Sequence, residues 1–200
     1  SKHQINPIIE EKLYVSKSFF LTGRQVLFEI KSAPMTSLLS LANSESHNFT
    51  AEVLLRSAAN TWEHSQFLND FQQWYSSIDI PIQNLNLVDG SGLSRENRAT
   101  TTSIVTLLWY MDQHKYSEFY KSTMAVIGLR GTLKNFMPKS QLNGKFYGKT
   151  GTLSGVRAVS GILDSNNYTR YISIIHNSSN LSDSTISNVL ETIYRFSQCP

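Results

Sequence analysis

Residues 146–163 read FYGKTGTLSGVRAVSGIL. Aromatic, β-branched and small residues alternate here, with Ser154 and Gly155 as turn formers in the middle. The pattern predicts a strand over Lys145 to Leu153, a second over Val156 to Asp164 and a third over Tyr168 to His176, joined by LSG and DSNNY turns. Lys149 then lies inside a strand. A lone strand lysine commonly faces water. The next two residues allow another reading. Thr150 adds a hydroxyl, and Gly151 has no Cβ to keep another backbone away from the strand edge. An extended peptide could add itself to that edge, its carboxylate on the hydroxyl and the ammonium holding a positive potential over it.

Upstream the period is helical. TSLLSLANSES reads as a helix running into a polar turn, and SHNFTAEVLLRSAANT opens with capping residues before a run of helix formers. Phe67, Leu68, Phe71, Trp74, Tyr75 and Ile78 recur on one helical face, and Pro81 lies beyond its end. LVDGSGLSRENRATT, residues 87–102, is the richest in turn signals. Thr100 to Thr102 can cap a helix striped by Ile104, Val105, Leu108 and Met111, and residues 117–126 read as helix too. Near the start, RQVLFEI (Arg24 to Ile30) reads as a strand. At the other end Ile186, Val189, Leu190, Ile193 and Tyr194 stripe a helix that Ser182 or Asp183 would cap. Trp62, Trp74 and Trp109 fall in helical patterns and are assigned to core packing. Helices in the middle, an antiparallel sheet late and a helix to cover it make an α+β pattern.

The totals exclude several classes. Two hundred residues allow one domain or one large part of a bigger one. A formal net charge of +3, without a dense Lys/Arg run, gives no footprint for nucleic acid. Cys199 is the one cysteine, which excludes an internal disulfide framework, and no His/Glu spacing suggests zinc. No apolar run is long enough for a transmembrane helix, and SKHQINPIIEEKLYV has no apolar core of a signal peptide. No cofactor and no metal are expected. A Ser-His-Asp hydrolase would need a Gly-x-Ser-x-Gly elbow, and GTLSG holds its serine one place late.

The second polar cluster is Ser46-His47-Asn48, 103 residues before Lys149. It can be an ordinary helix cap. On spacing alone the cap is the favoured reading; the other is that it supplies a hydroxyl to relay protons and an amide to position a carbonyl. With the first cluster it resembles the penicillin-recognising serine enzymes, whose signature is Ser-x-x-Lys, Ser-Asp-Asn and Lys-Thr-Gly, His47 standing in the variable middle place of the second motif. SAPMTSLLSLANSESHNFTAEVLLR, DGSGLSRENR, GLRGTL and GKTGTLSGVRAVSGIL follow in the order of landmarks in the class C penicillin-binding proteins, the D-alanyl-D-alanine carboxypeptidase/endopeptidases. That resemblance implies a penicillin-binding, serine β-lactamase-like transpeptidase fold, an antiparallel sheet flanked by helices, incomplete in this chain. It implies that Ser46, Asn48 and Lys149 are catalytic, that Thr150, Gly151 and Thr152 bind substrate, and that the Thr152 N–H forms half of an oxyanion hole. Peptidoglycan stem peptides and β-lactams are the implied ligands, and the periplasm or another extracytoplasmic place the implied location.

One motif of the signature is missing. No serine in the sequence has a lysine three places on. Residues 1–200 are therefore expected to be the C-terminal part of a longer penicillin-binding domain and inactive alone. An N-terminal segment with Ser-x-x-Lys, or a dimer contact, is expected to cover the apolar face left open. A non-catalytic module that grips cell-wall peptides is the alternative.

Overall fold

In the computed structural model the described residues are 31–165, 168–178 and 182–196, with backbone alone at 64–66. All elements below belong to the unit Ala33–Pro200. The strand expected over Arg24 to Ile30 lies outside the described residues.

Helix α1 (Met35–Asn43) starts after Pro34, whose fixed φ suits a helix entry. Helix α2 (Asn48–Ala58) follows after a four-residue loop, and α3 (His64–Ser77) after another turn. A long turn-rich segment leads to α4 (Thr101–Gln113). Thr100 and Ser103 form a reciprocal capping box at its start, as the Thr-rich sequence predicts. The helix expected over residues 117–126 is shorter. α5 (Ser117–Ser122) ends where Thr123, 1% exposed, turns the chain into a two-residue strand, β1 (Ala125–Val126). Then come a 3-10 turn (Gly131–Leu133), β2 (Phe146–Leu153), β3 (Val156–Asp164), β4 (Thr169–His176) and α6 (Asp183–Phe196).

The sheet is antiparallel throughout, in the order β1-β2-β3-β4. Its register puts Phe146, Leu163, Val159 and Ile172 on one face. Helix α6 covers that face with Ile186, Leu190 and Tyr194, and the same core includes Leu133 and Leu142. Burying side chains of this size contributes about 2 kcal/mol each, which outweighs the weak strand propensity of a two-residue β1. The other face carries Tyr147, Ile162 and Tyr171, and packs on Leu108 of α4 and on Met124. Lys149, Ser160 and Ser173 are cross-strand neighbours on this second face, as are Gly151, Ala158 and Ile175. The helical side of the sheet is therefore where the lysine emerges.

Two stripes differ from expectation. Val189 is 41% exposed, because Ile186, Leu190 and Tyr194 fill the arc of α6 that meets the sheet. Trp62, Trp74 and Trp109 are 40%, 45% and 52% exposed, so core packing was the wrong assignment for all three. In α3 the buried places go to Phe67 and Tyr75, and Trp74 lies over the edges of Tyr75 and Tyr110 instead.

Candidate active site

The loop between α1 and α2 carries Ser46, and three long-range hydrogen bonds fix it. The Asn43 side-chain amide donates to Thr123 Oγ1 at 2.9 Å. The Thr132 N–H donates to the Ser44 carbonyl at 3.0 Å. The Lys149 ammonium donates to Ser46 Oγ at 2.6 Å. Ser46 itself has φ +60°, a left-handed conformation unusual for a residue with a Cβ. The helix cap consequently passes to His47, whose Nδ1 accepts from the Thr50 N–H. Ser46 is thus not the cap that its position in the sequence suggests. Its hydroxyl is turned to the lysine.

Lys149 also donates to the Thr150 carbonyl at 2.6 Å. Burial among these groups holds its ammonium below the ordinary lysine value. Ser46, Asn48, Lys149, Thr150, Gly151 and Thr152 all line one open cleft of about 720 Å³. Asn48 is exposed on the first turn of α2, so its amide reaches the cleft from the helix side. Strand β1 pairs only with Tyr147 and Gly148, so the edge of β2 from Lys149 onward has β3 on one side and no strand on the other among the described residues. A Cβ placed on Gly151 would meet nothing closer than Ala158 Cβ at 3.5 Å, an ordinary contact. Internal packing therefore does not require glycine there.

The lining beside Thr150 comes from the 131–133 turn, part of the GLRGTL landmark, to which sequence reading assigned no chemistry. Gly131 has φ +64°, and a Cβ on it would stand 2.5 Å from the Ser44 carbonyl oxygen. Only glycine lets the turn approach this closely. The approach places Thr132 Oγ1 3.0 Å from Thr150 Oγ1, beside it in the cleft lining. The landmark does not reveal a role for Thr132, because the contact that positions it is 88 residues away, at Ser44.

The DGSGLSRENR segment closes one end. Asp89 accepts from the N–H groups of Gly92 and Ser94 and from the Asn97 amide. Burial opposes ionisation of its carboxyl, and these hydrogen bonds outweigh burial, leaving the carboxyl below its usual range. The segment is tied to α2 through Glu52, which accepts from the Gly90 N–H at 2.6 Å, and to the β2–β3 turn through Arg95 and the Ser154 carbonyl. Behind it a second cleft of about 560 Å³ runs between Phe71 and Tyr75 of α3, Ile104 and Leu107 of α4, and Ala158 and Ile175 of the sheet. It shares Gly90, Gly92, Leu153, Val156 and Ala158 with the first. Among the described residues no group of three His, Cys, Asp or Glu could hold a metal ion, and no helix is long and apolar enough to cross a membrane.

Comparison with known proteins places this arrangement. A D-alanyl-D-alanine carboxypeptidase of Actinomadura sp. is 31% identical over 164 residues, 76% of this chain and 30% of that protein. A penicillin-sensitive carboxypeptidase A of Dictyostelium discoideum is 30% identical over 182 residues, 83% of this chain and 34% of that protein. The chain thus spans about a third of the length of these relatives. The crystal structure of penicillin binding protein 4 from Haemophilus influenzae, complexed with a β-lactam, superposes with a TM-score of 0.70 at 21% identity, over 80% of this chain and 40% of that one. A predatory endopeptidase of Bdellovibrio bacteriovorus, in complex with an immunity protein, gives 0.66 at 18%, over 80% and 43%. These two likenesses are of fold, and the α+β architecture read from the sequence is that of the penicillin-binding proteins. The family model matches residues 10–197, nearly the whole sequence, and the chain belongs to the D-Ala-D-Ala carboxypeptidase 3 (S13) family.

Proposed function

We propose that this chain supplies the substrate-gripping part of a serine-type D-Ala-D-Ala carboxypeptidase/endopeptidase, acting on peptidoglycan stem peptides outside the cytoplasm. The observation that carries the reading is the Lys149–Ser46 hydrogen bond at 2.6 Å inside the shared cleft. An ammonium occupying one lone pair of Ser46 Oγ leaves the serine O–H to donate elsewhere. Its natural recipient is the amine leaving a cleaved D-Ala-D-Ala bond, with the proton replaced from the attacking hydroxyl. Asn48 would hold the acyl-side backbone, Thr150 the terminal carboxylate, and the Thr152 N–H the developing oxyanion. A β-lactam carries a strained amide and a carboxylate and fits the same groups.

The attacking serine is not among these residues. We assign it to a segment beyond the 200 residues, bearing Ser-x-x-Lys and seated in the apolar trough behind the DGSGLSRENR segment. The trough supports this because Phe71, Tyr75, Ile104, Leu107 and Ile175 give it a mainly apolar surface, and it adjoins the cleft that holds Ser46 and Lys149. An apolar surface of that extent asks for a cover.

Labelled penicillin tests the reading. The 200-residue chain should take up no stable label. A chain extended upstream in its own gene should contain Ser-x-x-Lys and be labelled. Lys149→Ala in that extended chain should slow labelling by about 100-fold or more, the usual contribution of a positioned proton-transfer group. An adduct on the short chain, or an unchanged rate in Lys149→Ala, would overturn the mechanism. A module that only binds wall peptides would show binding without labelling even when extended.

A further inference from the structure

We propose that Thr132 is a second carboxylate-recognising hydroxyl, adjacent to Thr150 in the cleft, and that the pair makes the site read a free C-terminal carboxylate. This rests on the functional reading above and adds a residue and a specificity to it.

Thr150 Oγ1 donates to Thr132 Oγ1 at 3.0 Å, leaving the Thr132 hydroxyl proton without that use. Thr132 is exposed and lines the cleft beside Lys149. Its backbone is held independently of its side chain, by its N–H on the Ser44 carbonyl and by Gly131 against the same residue. The hydroxyl is therefore fixed in place without serving the fold. A carboxylate has two oxygens and accepts only. When one enters, each threonine can turn its O–H to one oxygen, replacing a single neutral hydrogen bond with two charge-assisted ones. The Lys149 ammonium, in the same cleft, adds the compensating charge. A C-terminal carboxamide presents an NH₂ to one of the two hydroxyls and forfeits half of that gain.

The turn also links the site's two halves. Ser44 O receives the Thr132 N–H, and Ser46, two residues on, receives the Lys149 ammonium. Thr132 is thus held relative to Ser46 by a path that does not pass through the sheet, and the spacing between carboxylate and scissile bond is set on that path.

The test is binding of N-acetyl-D-Ala-D-Ala and of its C-terminal amide to the 200-residue chain, followed by NMR titration, since every group invoked lies within it. Wild type should prefer the free acid. Thr132→Val, nearly isosteric, should weaken the acid about tenfold or more and the amide several-fold less, erasing most of the preference. Thr132→Ser should restore it, and the unfolding midpoint should be the same in all three. Equal acid affinity in wild type and Thr132→Val overturns the assignment while leaving the functional reading intact. Equal weakening of acid and amide overturns it too, by showing a structural role. Wild type that binds neither peptide overturns the functional reading together with this one.

Discussion

Gly131→Ala tests whether the 131–133 turn is held against the Ser46 loop as closely as the structure shows. The new Cβ would lie 2.5 Å from the Ser44 carbonyl oxygen, closer still to its hydroxyl, and 3.0 Å from Ala125 Cβ. Ser44 is 4% exposed and Ala125 fully buried, so neither can move into solvent. A left-handed φ costs an L-residue about 1 kcal/mol. Displacing the turn breaks the Thr132 N–H bond to Ser44, worth about 1 kcal/mol. The remaining overlap behaves as overpacking, at least about 1 kcal/mol. Together these give a loss of about 3 kcal/mol, or a fall of about 6–12 °C in the unfolding midpoint at this chain length. Far-UV circular dichroism against temperature measures it. Repeating the substitution in Ser44→Ala removes the hydroxyl overlap but not the carbonyl overlap, so more than half of the loss should persist. A loss below about 1 kcal/mol in both backgrounds would mean that the turn is not pressed on Ser44, and Thr132 would then have no fixed place beside Thr150.

Gly151→Ala should behave in the opposite way: unfolding midpoint within about 2 °C of wild type, because only an ordinary contact to Ala158 is made, but a several-fold loss of affinity for N-acetyl-D-Ala-D-Ala, because the new methyl lines the cleft. A large destabilisation with intact binding would show glycine there to be structural. Lys149→Met should alter the alkaline stability profile. The folded ammonium titrates below its ordinary 10.5, so between the two values the unfolded chain binds more protons and wild-type stability rises with pH; below the folded value the burial cost is present in full. Urea midpoints from pH 7 to 10 should therefore climb for wild type relative to Lys149→Met, and parallel curves would refute the burial of the charge. Tyr75, Tyr120 and Tyr171, pushed up to about 12 chiefly by burial, lower stability as pH passes 10, but they do so in both proteins and cancel in the difference.

Period was a reliable guide where one face of an element meets one surface. Strand β3 runs from Val156 to Asp164 as read, and the Thr100 cap stands at the start of α4. Period misled where a face is shared or cut short. Nothing in residues 117–126 announces that the chain leaves the helix at Thr123, because β1 is a strand only by virtue of pairing with Tyr147 and Gly148. The tryptophans lie on helical stripes, but a stripe does not say which of its members meets a neighbour. At the site, Lys149, Thr150 and Gly151 are legible because they are adjacent in sequence. Ser46 and Asn48 are legible only through family resemblance, since their spacing is also that of a plain cap. Thr132 lies in the GLRGTL landmark, but no role for it was legible: its position depends on one positive φ and on a carbonyl in a distant loop.

The capping arrangement at α2 bears on whether this cleft has a use. A serine placed just before a helix ordinarily turns its hydroxyl onto an N–H of the first turn, worth about 1 kcal/mol. Here Ser46 forgoes that bond and holds a left-handed φ, a further cost of about 1 kcal/mol. His47 recovers the cap, but through a ring nitrogen at 3.3 Å, a long hydrogen bond. Lys149 is meanwhile half-buried at a cost, with its ammonium on the serine so displaced. A fold selected for stability alone would let Ser46 cap the helix and send the lysine to water. Strain concentrated on two facing polar side chains, in a cleft beside a strand edge that no described strand pairs, is what a ligand-binding function requires and what packing does not.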